Sequence, residues 1–341
     1  MLEKPNLSDE KIIQGLKEGF GLIASQVEFI PLGNDSNAWV YRVASPEKMY
    51  FLKVKRRLTN PRGITIPRFL KNQGLEQVVV PFSTLGGELW HLVGDYFLLL
   101  YPFIEGDNGM KTGLTDAQWV AYGAFLKALH AVQLPPDLAE QLPQEKFVPT
   151  NKALEYLEQI ETRITQNQIF TPMQAQLADF WREKAEAIAH VVRRTLELAE
   201  ILRQQPLTYF LCHADIHTAN LLITPDQQMF VVDWDETILA PPERDLMFIM
   251  ESPFVSNPPL PSRQQDLFFQ GYGETDINWT ALAYYRYEWA VQDLGDFAAR
   301  VFLMDDVGEV TQREALRIFR GLFNPGDEVD IALKTEEKLR S

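Results

Sequence analysis

The chain has 341 residues, 47 acidic and 32 basic, for a net charge of −15, and 46% of it is hydrophobic. This length exceeds one typical core and predicts two lobes. The acid surplus excludes a nucleic-acid binder that works by neutralising phosphates, leaving plain solubility or attraction of a cationic substrate.

The single cysteine, Cys212, excludes an internal disulfide and a cysteine-based zinc cluster. Residues 1–10 lack the apolar core of a signal peptide, so a reducing cytoplasm is expected. The longest apolar run, residues 96–104, falls short of the roughly 20 residues that span a bilayer, so no membrane segment is expected.

In chain order, Ser8 is placed to cap an amphipathic helix with Ile12, Ile13, Leu16 and Phe20 on one side. Residues 27–32 and 39–43 read as strands joined by a loop of small polar residues that includes Asn34 and Ser36. Residues 49–54 form a third strand, in which Lys53 interrupts an apolar alternation. A lysine there is costly unless its ammonium reaches an anion or water. Pro67 to Gln73 reads as a short helix, residues 78–81 as a strand, and residues 89–93 with 96–101 as a hairpin. Tyr101, Pro102, Phe103 and Ile104 then end the apolar strand at a proline, a glycine following at Gly106. The predicted division is a first lobe over 1–100, a linker over 101–107 and a second lobe over 108–341.

Beyond the linker the period changes from 2 to 3.6. Thr115 and Gln118 make a capping box before a helix reaching His130, and residues 151–166 and 171–205 read as helices of an insert spanning about 135–205. Residues 279–303 predict a long helix with Ala283, Tyr287, Ala290 and Leu294 on one face. The other face carries Arg286, Trp289, Asp293 and Asp296, either solvated or lining a pocket.

The most specific stretch lies between these helices. His213, Ala214 and Asp215 precede Asn220 and the apolar triplet Leu221, Leu222 and Ile223; a turn follows, then Val231, Val232, Asp233, Trp234, Asp235 and Glu236. Loop, strand, turn and strand would bring Asp215, Asn220 and Asp233 around one point, and such hard oxygen donors suit magnesium. The spacing resembles the catalytic loop and metal-binding aspartate of kinases. His-Ala-Asp and Asp-Trp-Asp resemble the aminoglycoside phosphotransferase and choline kinase-like family, with the nearest likeness to its spectinomycin-phosphorylating branch in Tyr101 to Ile104, Glu243 to Ile249 and Gly271 to Glu274.

This resemblance implies an α+β, protein kinase-like fold of two lobes, a small antiparallel-sheet lobe and a larger, mainly helical one. It implies an ATP-dependent phosphotransferase, with GTP left open, acting with Mg2+ on a hydroxyl of a small, cationic acceptor. An aminoglycoside or aminocyclitol such as spectinomycin is the first reading. A metabolite kinase for an amino alcohol, homoserine or a sugar, and a nucleotide-binding pseudokinase, are the others. Asp215 is implied as catalytic base and Asn220 and Asp233 as metal ligands. Lys53, Asn34 and Ser36 are implied at the phosphates, and Val40, Tyr101, Phe103, Ile104, Leu222 and Val232 around the base. Asp235, Glu236, Trp289 and Asp293 are the acceptor candidates, and Asp245 is a brace for the catalytic loop. One departure stands out: the helix glutamate that should hold Lys53 is missing, since no acidic residue occurs between Lys53 and Glu76. The resemblance therefore leaves two outcomes, direct pairing of Lys53 with Asp233 or a weakened site.

Overall fold

The computed structural model describes residues 3–32, 37–58, 61–149, 151–166, 170–250, 262–305 and 307–339; Asn34 and Ser36 lie outside these ranges. The chain opens with α1 (Asp9–Phe20), β1 (Gln26–Ile30), β2 (Ala38–Ala44), β3 (Met49–Lys55), α2 (Arg62–Asn72), β4 (His91–Val93), β5 (Tyr96–Pro102), β6 (Asp107–Asn108) and α3 (Gly109–Thr112). It continues through α4 (Asp116–His130), α5 (Pro136–Ala139), α6 (Asn151–Thr165), α7 (Pro172–Arg203), β7 (Phe210–Cys212), β8 (Leu221–Ile223), β9 (Met229–Val231) and β10 (Ile238–Ala240). It closes with α8 (Glu243–Leu246), α9 (Ser262–Tyr272), α10 (Trp279–Phe302), α11 (Glu309–Gly321) and α12 (Glu328–Leu339).

Two compact units result, residues 1–112 with 218–237, and residues 113–217 with 238–341. The division differs from the contiguous one expected at 100 and 107. The reason is hydrogen bonding: β8 pairs with β6, and Val231 N donates to Gln77 O at 2.8 Å, so the β8–β9 hairpin completes the first unit.

In the first unit, the Ser8 side chain accepts from Lys11 N, and Gly21, at φ 66°, ends α1 in the left-handed conformation. The five-stranded antiparallel sheet runs β1-β2-β3-β5-β4. Strand alternation divides its faces. Trp39, Tyr41, Val43, Leu52 and Val54 pack into a core with Ile12 and Leu16 of α1. The offset positions Val40, Phe51 and Lys53 line a cavity instead.

Two local expectations change. α2 begins at Arg62 and carries Pro67 inside it, rather than starting there. The expected strand at 78–81 reduces to one parallel bridge, Val78 with Val231.

The second unit is helical. Capping boxes at Thr115/Gln118 and Thr171/Gln174 open α4 and α7. The run expected as an insert holds α5, α6 and α7, and α10 packs against α6, α7, α11 and α12. Little of α10 reaches solvent, although its sequence carries a polar face: Arg286 and Arg300 are buried along with its apolar residues. α4 and α9 meet through facing glycines: a Cβ on Gly123 would lie 2.0 Å from Phe268 O, and one on Gly271 would lie 1.9 Å from Val120 O. No helix among the described residues is long and apolar enough to cross a membrane.

Candidate active site

In the first unit the site is built on the β8–β9 hairpin. Leu221 pairs with Val231 across it, and Val232 N donates to Asn220 O at 3.0 Å, so Asn220 and Asp233 emerge at the same end. The turn beyond β9 is tight: Trp234 Nε1 donates to Val231 O at 3.3 Å and Thr237 Oγ1 to Trp234 O at 2.6 Å. Asp233 is held at φ 63°. A left-handed, non-glycine residue costs on the order of 1 kcal/mol or more and persists where its surroundings over-determine it.

Lys53 resolves the missing glutamate. Its Nζ donates to Asp233 Oδ1 at 2.9 Å and to Asp235 Oδ2 at 2.8 Å, and Lys55 Nζ donates to the same Asp235 oxygen at 2.7 Å. Asp235 thus takes the place left by the absent helix acid, and Lys53 also pairs directly with Asp233, as one of the two expected outcomes required. Burial alone would lower Lys53, but the two aspartates outweigh it and hold the ammonium charged well above its usual range. For Asp235, burial would raise the carboxyl, yet Lys53 and Lys55 hold it well below the usual carboxylate range.

Helix α2 contributes through backbone proximity. Arg62 Nε donates to Asp235 O at 3.1 Å, and a Cβ on Gly63 would fall 2.9 Å from Asp235 Cα, so only glycine lets the helix start this close.

Lys53, Asn220, Asp233, Val40, Tyr101, Phe103, Ile104, Leu222 and Val232 all line one cavity of about 400 Å³ within this unit. Ile30, Ala38, Phe51, Gly63 and Val79 also line it and had not been singled out. Two of these had a signal: Ala38 and Phe51 stand two residues from Val40 and Lys53, on the same faces of β2 and β3. The acceptor candidates are dispersed. Asp235 is committed to two lysines and Glu236 is exposed in the first unit, while Trp289 and Asp293 sit on α10 in the second. Asn34 and Ser36, the expected phosphate-loop residues, fall outside the described residues.

Asp215 belongs to the second unit, on the loop that follows β7. Ala214 beside it is left-handed, at φ 69°. The buried Asp245 fixes that conformation: Oδ2 accepts from His213 N at 3.0 Å and Oδ1 from Ala214 N at 2.7 Å. His130 Nε2 lies 3.0 Å from Asp245 Oδ2, while its Nδ1 meets Tyr272 Oη at 2.8 Å. Burial would raise Asp245, but His130, His213 and the Ala214 amide outweigh it and keep the carboxyl below its usual range. Tyr122 Oη adds a bond to Ile216 O. Asp215 itself is about one-third exposed, and His217 Nε2 lies 3.4 Å from its Oδ1.

His130, Cys212 and Asp245 lie within metal-ligand distance of one another. Burial pushes the Cys212 thiol well up, so it stays protonated, and both Asp245 oxygens already serve the loop. The cluster is a hydrogen-bonded brace.

Residues 27–285 match the family model described as the phosphotransferase enzyme family, APH. The crystal structure of spectinomycin phosphotransferase APH(9)-Ia, in complex with ADP and spectinomycin, superposes with a TM-score of 0.85 at 29% identity, covering 97% of this chain and 99% of that one. Protein StrN of Streptomyces griseus is 27% identical over 239 residues, 64% of this chain and 67% of its own length. A microcompartment-associated aminopropanol kinase shares the fold alone, with a TM-score of 0.57 at 15% identity over 97% and 98% of the two chains. A match over most of the sequence, carried on a kinase-like fold, places the chain in the phosphotransferase enzyme family, as a phosphotransferase that acts on hydroxyl groups.

Proposed function

We propose that this phosphotransferase moves the γ-phosphoryl group of ATP to a hydroxyl of a small, amine-bearing acceptor, an aminocyclitol such as spectinomycin being the first candidate. The observation that carries this reading is the convergence of Lys53, Asn220 and Asp233 on one apolar-walled cavity. The likeness to a spectinomycin phosphotransferase over nearly the whole chain supports the acceptor class.

In this reading Val40, Leu222 and Val232 enclose the adenine, whose edge meets the backbone of the 101–107 linker at Phe103 and Ile104. Asn34 and Ser36 serve the phosphates from the β1–β2 loop. Lys53 neutralises phosphate charge, and Asp235 keeps its ammonium in position once Asp233 turns to other work. An amide oxygen and a half-exposed carboxylate at one end of a hairpin are a donor set that fits magnesium, so Asn220 and Asp233 would hold it. When bound, that ion supplies charge neutralisation on the transferring phosphates.

Asp215 accepts a hydrogen bond from the acceptor hydroxyl. As the hydroxyl oxygen bonds to the γ-phosphorus, the bond to the β–γ bridging oxygen breaks, and the hydroxyl proton passes to Asp215. Little covalent chemistry falls to the protein in phosphoryl transfer; positioning and charge do most of it.

The test is magnesium-dependent nucleotide consumption by the purified protein, first with spectinomycin, then with amino alcohols, homoserine and sugars. Stimulation by spectinomycin, abolished in Asp215→Ala, is the expected result. Stimulation by an amino alcohol alone would keep the mechanism and change the acceptor. No stimulation by any acceptor, with nucleotide still bound, would overturn catalysis in favour of a regulatory binding role.

A further inference from the structure

Lys55 is the second lysine of β3 and its last residue. It is 7% exposed, and its Nζ donates to Asp235 Oδ2 at 2.7 Å, the same oxygen that Lys53 Nζ reaches at 2.8 Å. Burying an ammonium is costly, and two ammonium groups converging on one oxygen also repel each other. An apolar side chain facing the same way would avoid both costs, so stability alone is a poor reason for a second lysine here. The neighbouring cavity supplies a better one.

Strand alternation puts Phe51, Lys53 and Lys55 on one face of β3. Phe51, Lys53 and Asp235 line the cavity proposed for the nucleotide, and so does Ala38, the cross-strand neighbour of Lys55. Lys55 is not one of the described residues that line it, so its ammonium reaches the cavity wall through Asp235. The two ends of this contact are anchored differently. β3 is the middle strand of the five, paired at Lys55 with Ala38 on one side and Phe97 on the other, so the Lys55 backbone is fixed. Asp235 lies on the turn beyond β9, and its side chain is 30% exposed. A carboxylate on a turn, paired with one flexible lysine, can shift together with that lysine. A second lysine rooted in the sheet removes this freedom from one side, and α2 removes it from the other, where a Cβ on Gly63 would fall 2.5 Å from Asp235 Oδ1.

We propose that Lys55 is a positioning residue for the nucleotide phosphates: it pins Asp235 to the central strand of the sheet, and Asp235 so pinned keeps the Lys53 ammonium at the phosphates. The proposal rests on the phosphotransfer reading and adds to it a residue that acts without touching substrate. The demand on Asp235 is greatest when Asp233 serves the metal. Lys53 has both aspartates as partners in this structure, at 2.9 and 2.8 Å, and of the two only Asp235 then stays with it. The effect is confined to ligands that carry phosphates, since the base sits against Val40, Leu222 and Val232.

The experiment measures equilibrium binding of adenosine, AMP, ADP and ATP, with magnesium present, to the parental chain, to Lys55→Met, to Asp235→Asn and to the double variant. In the parent, affinity should rise from adenosine to ATP. Lys55→Met should weaken ATP about ten-fold while adenosine, which reports an intact cavity, keeps the parental Kd. In the double variant ATP should bind no more weakly than in Asp235→Asn alone, because Lys55 acts through Asp235. Lys55→Gln, neutral but polar, is read in the same way where the methionine variant does not fold. Parental ATP affinity in Lys55→Met, an equal loss for adenosine, or losses that multiply in the double variant would overturn the positioning role and leave phosphotransfer standing. No gain from adenosine to ATP in the parental chain would overturn the phosphotransfer reading and this role with it.

Discussion

Asp235 is the residue whose role changes most between sequence and structure. As a sequence it is one of two acids after a metal-binding aspartate, and an acceptor contact is the natural reading; its partners Lys53 and Lys55 are 182 and 180 residues away. No local pattern encodes a pair at that separation, whereas the need of Lys53 for an anion was legible from its apolar neighbours alone. Asp235→Asn should cost up to about 10²-fold in kcat/KM for nucleotide, through displacement of the Lys53 ammonium, as measured by steady-state kinetics. The same variant tests linkage. The folded chain holds this carboxyl below its unfolded value of about 3.9, so its stabilisation is complete above that pH and is lost as pH falls further. Melting temperatures between pH 5 and 3 should drop less in Asp235→Asn than in the parent. Asp215→Ala should lose at least about 10²-fold in turnover with nucleotide binding retained, since a positioned base contributes about 10²- to 10⁴-fold.

Among the elements, α2 shows where sequence reading stops. Pro67 reads as a helix start, which is where prolines usually sit. The helix instead starts at Arg62, because Gly63 permits contact with the Asp235 backbone, a requirement of tertiary packing that propensity does not express. Gly63→Ala should therefore act on the site at a distance in sequence: about 1–3 kcal/mol of lost stability from overpacking, with a raised KM for nucleotide. The sheet and its offset faces were legible because period 2 is strict. The capping boxes of α4 and α7 were legible because their chemistry is local. The α10–α12 contact was not, since the hydrogen-bond partner of Asp293 is Glu328, at the start of another helix. That contact also has a stability signature. The folded state retains a proton on Asp293 that the unfolded state gives up, so stability falls as pH rises from about 4 towards 7. Glu328→Gln should flatten that decline in thermal unfolding curves.

For the molecule as a whole, the net charge of −15 sets the long-range field. Cationic acceptors should show kcat/KM falling as salt is raised from about 0.01 to 0.15 M, where the screening length shortens from about 30 to 8 Å; neutral acceptors should show little change. The division of the chain adds a consequence in time. Residues 218–237 belong with 1–112, so the first unit stays unfinished on the ribosome until position 237 has been synthesised, well after its own sheet has emerged. Until then Lys53 and Lys55 lack Asp235, and β6 lacks its partner β8. A fragment of residues 1–112 should be readily cleaved in limited proteolysis, and the same fragment joined by a flexible linker to 218–237 should resist it. Synthesis from the N-terminus thus completes the unit that begins first only after a long stretch of the second unit, residues 113–217, has been made, and nascent chains short of residue 237 are the ones that depend on chaperones.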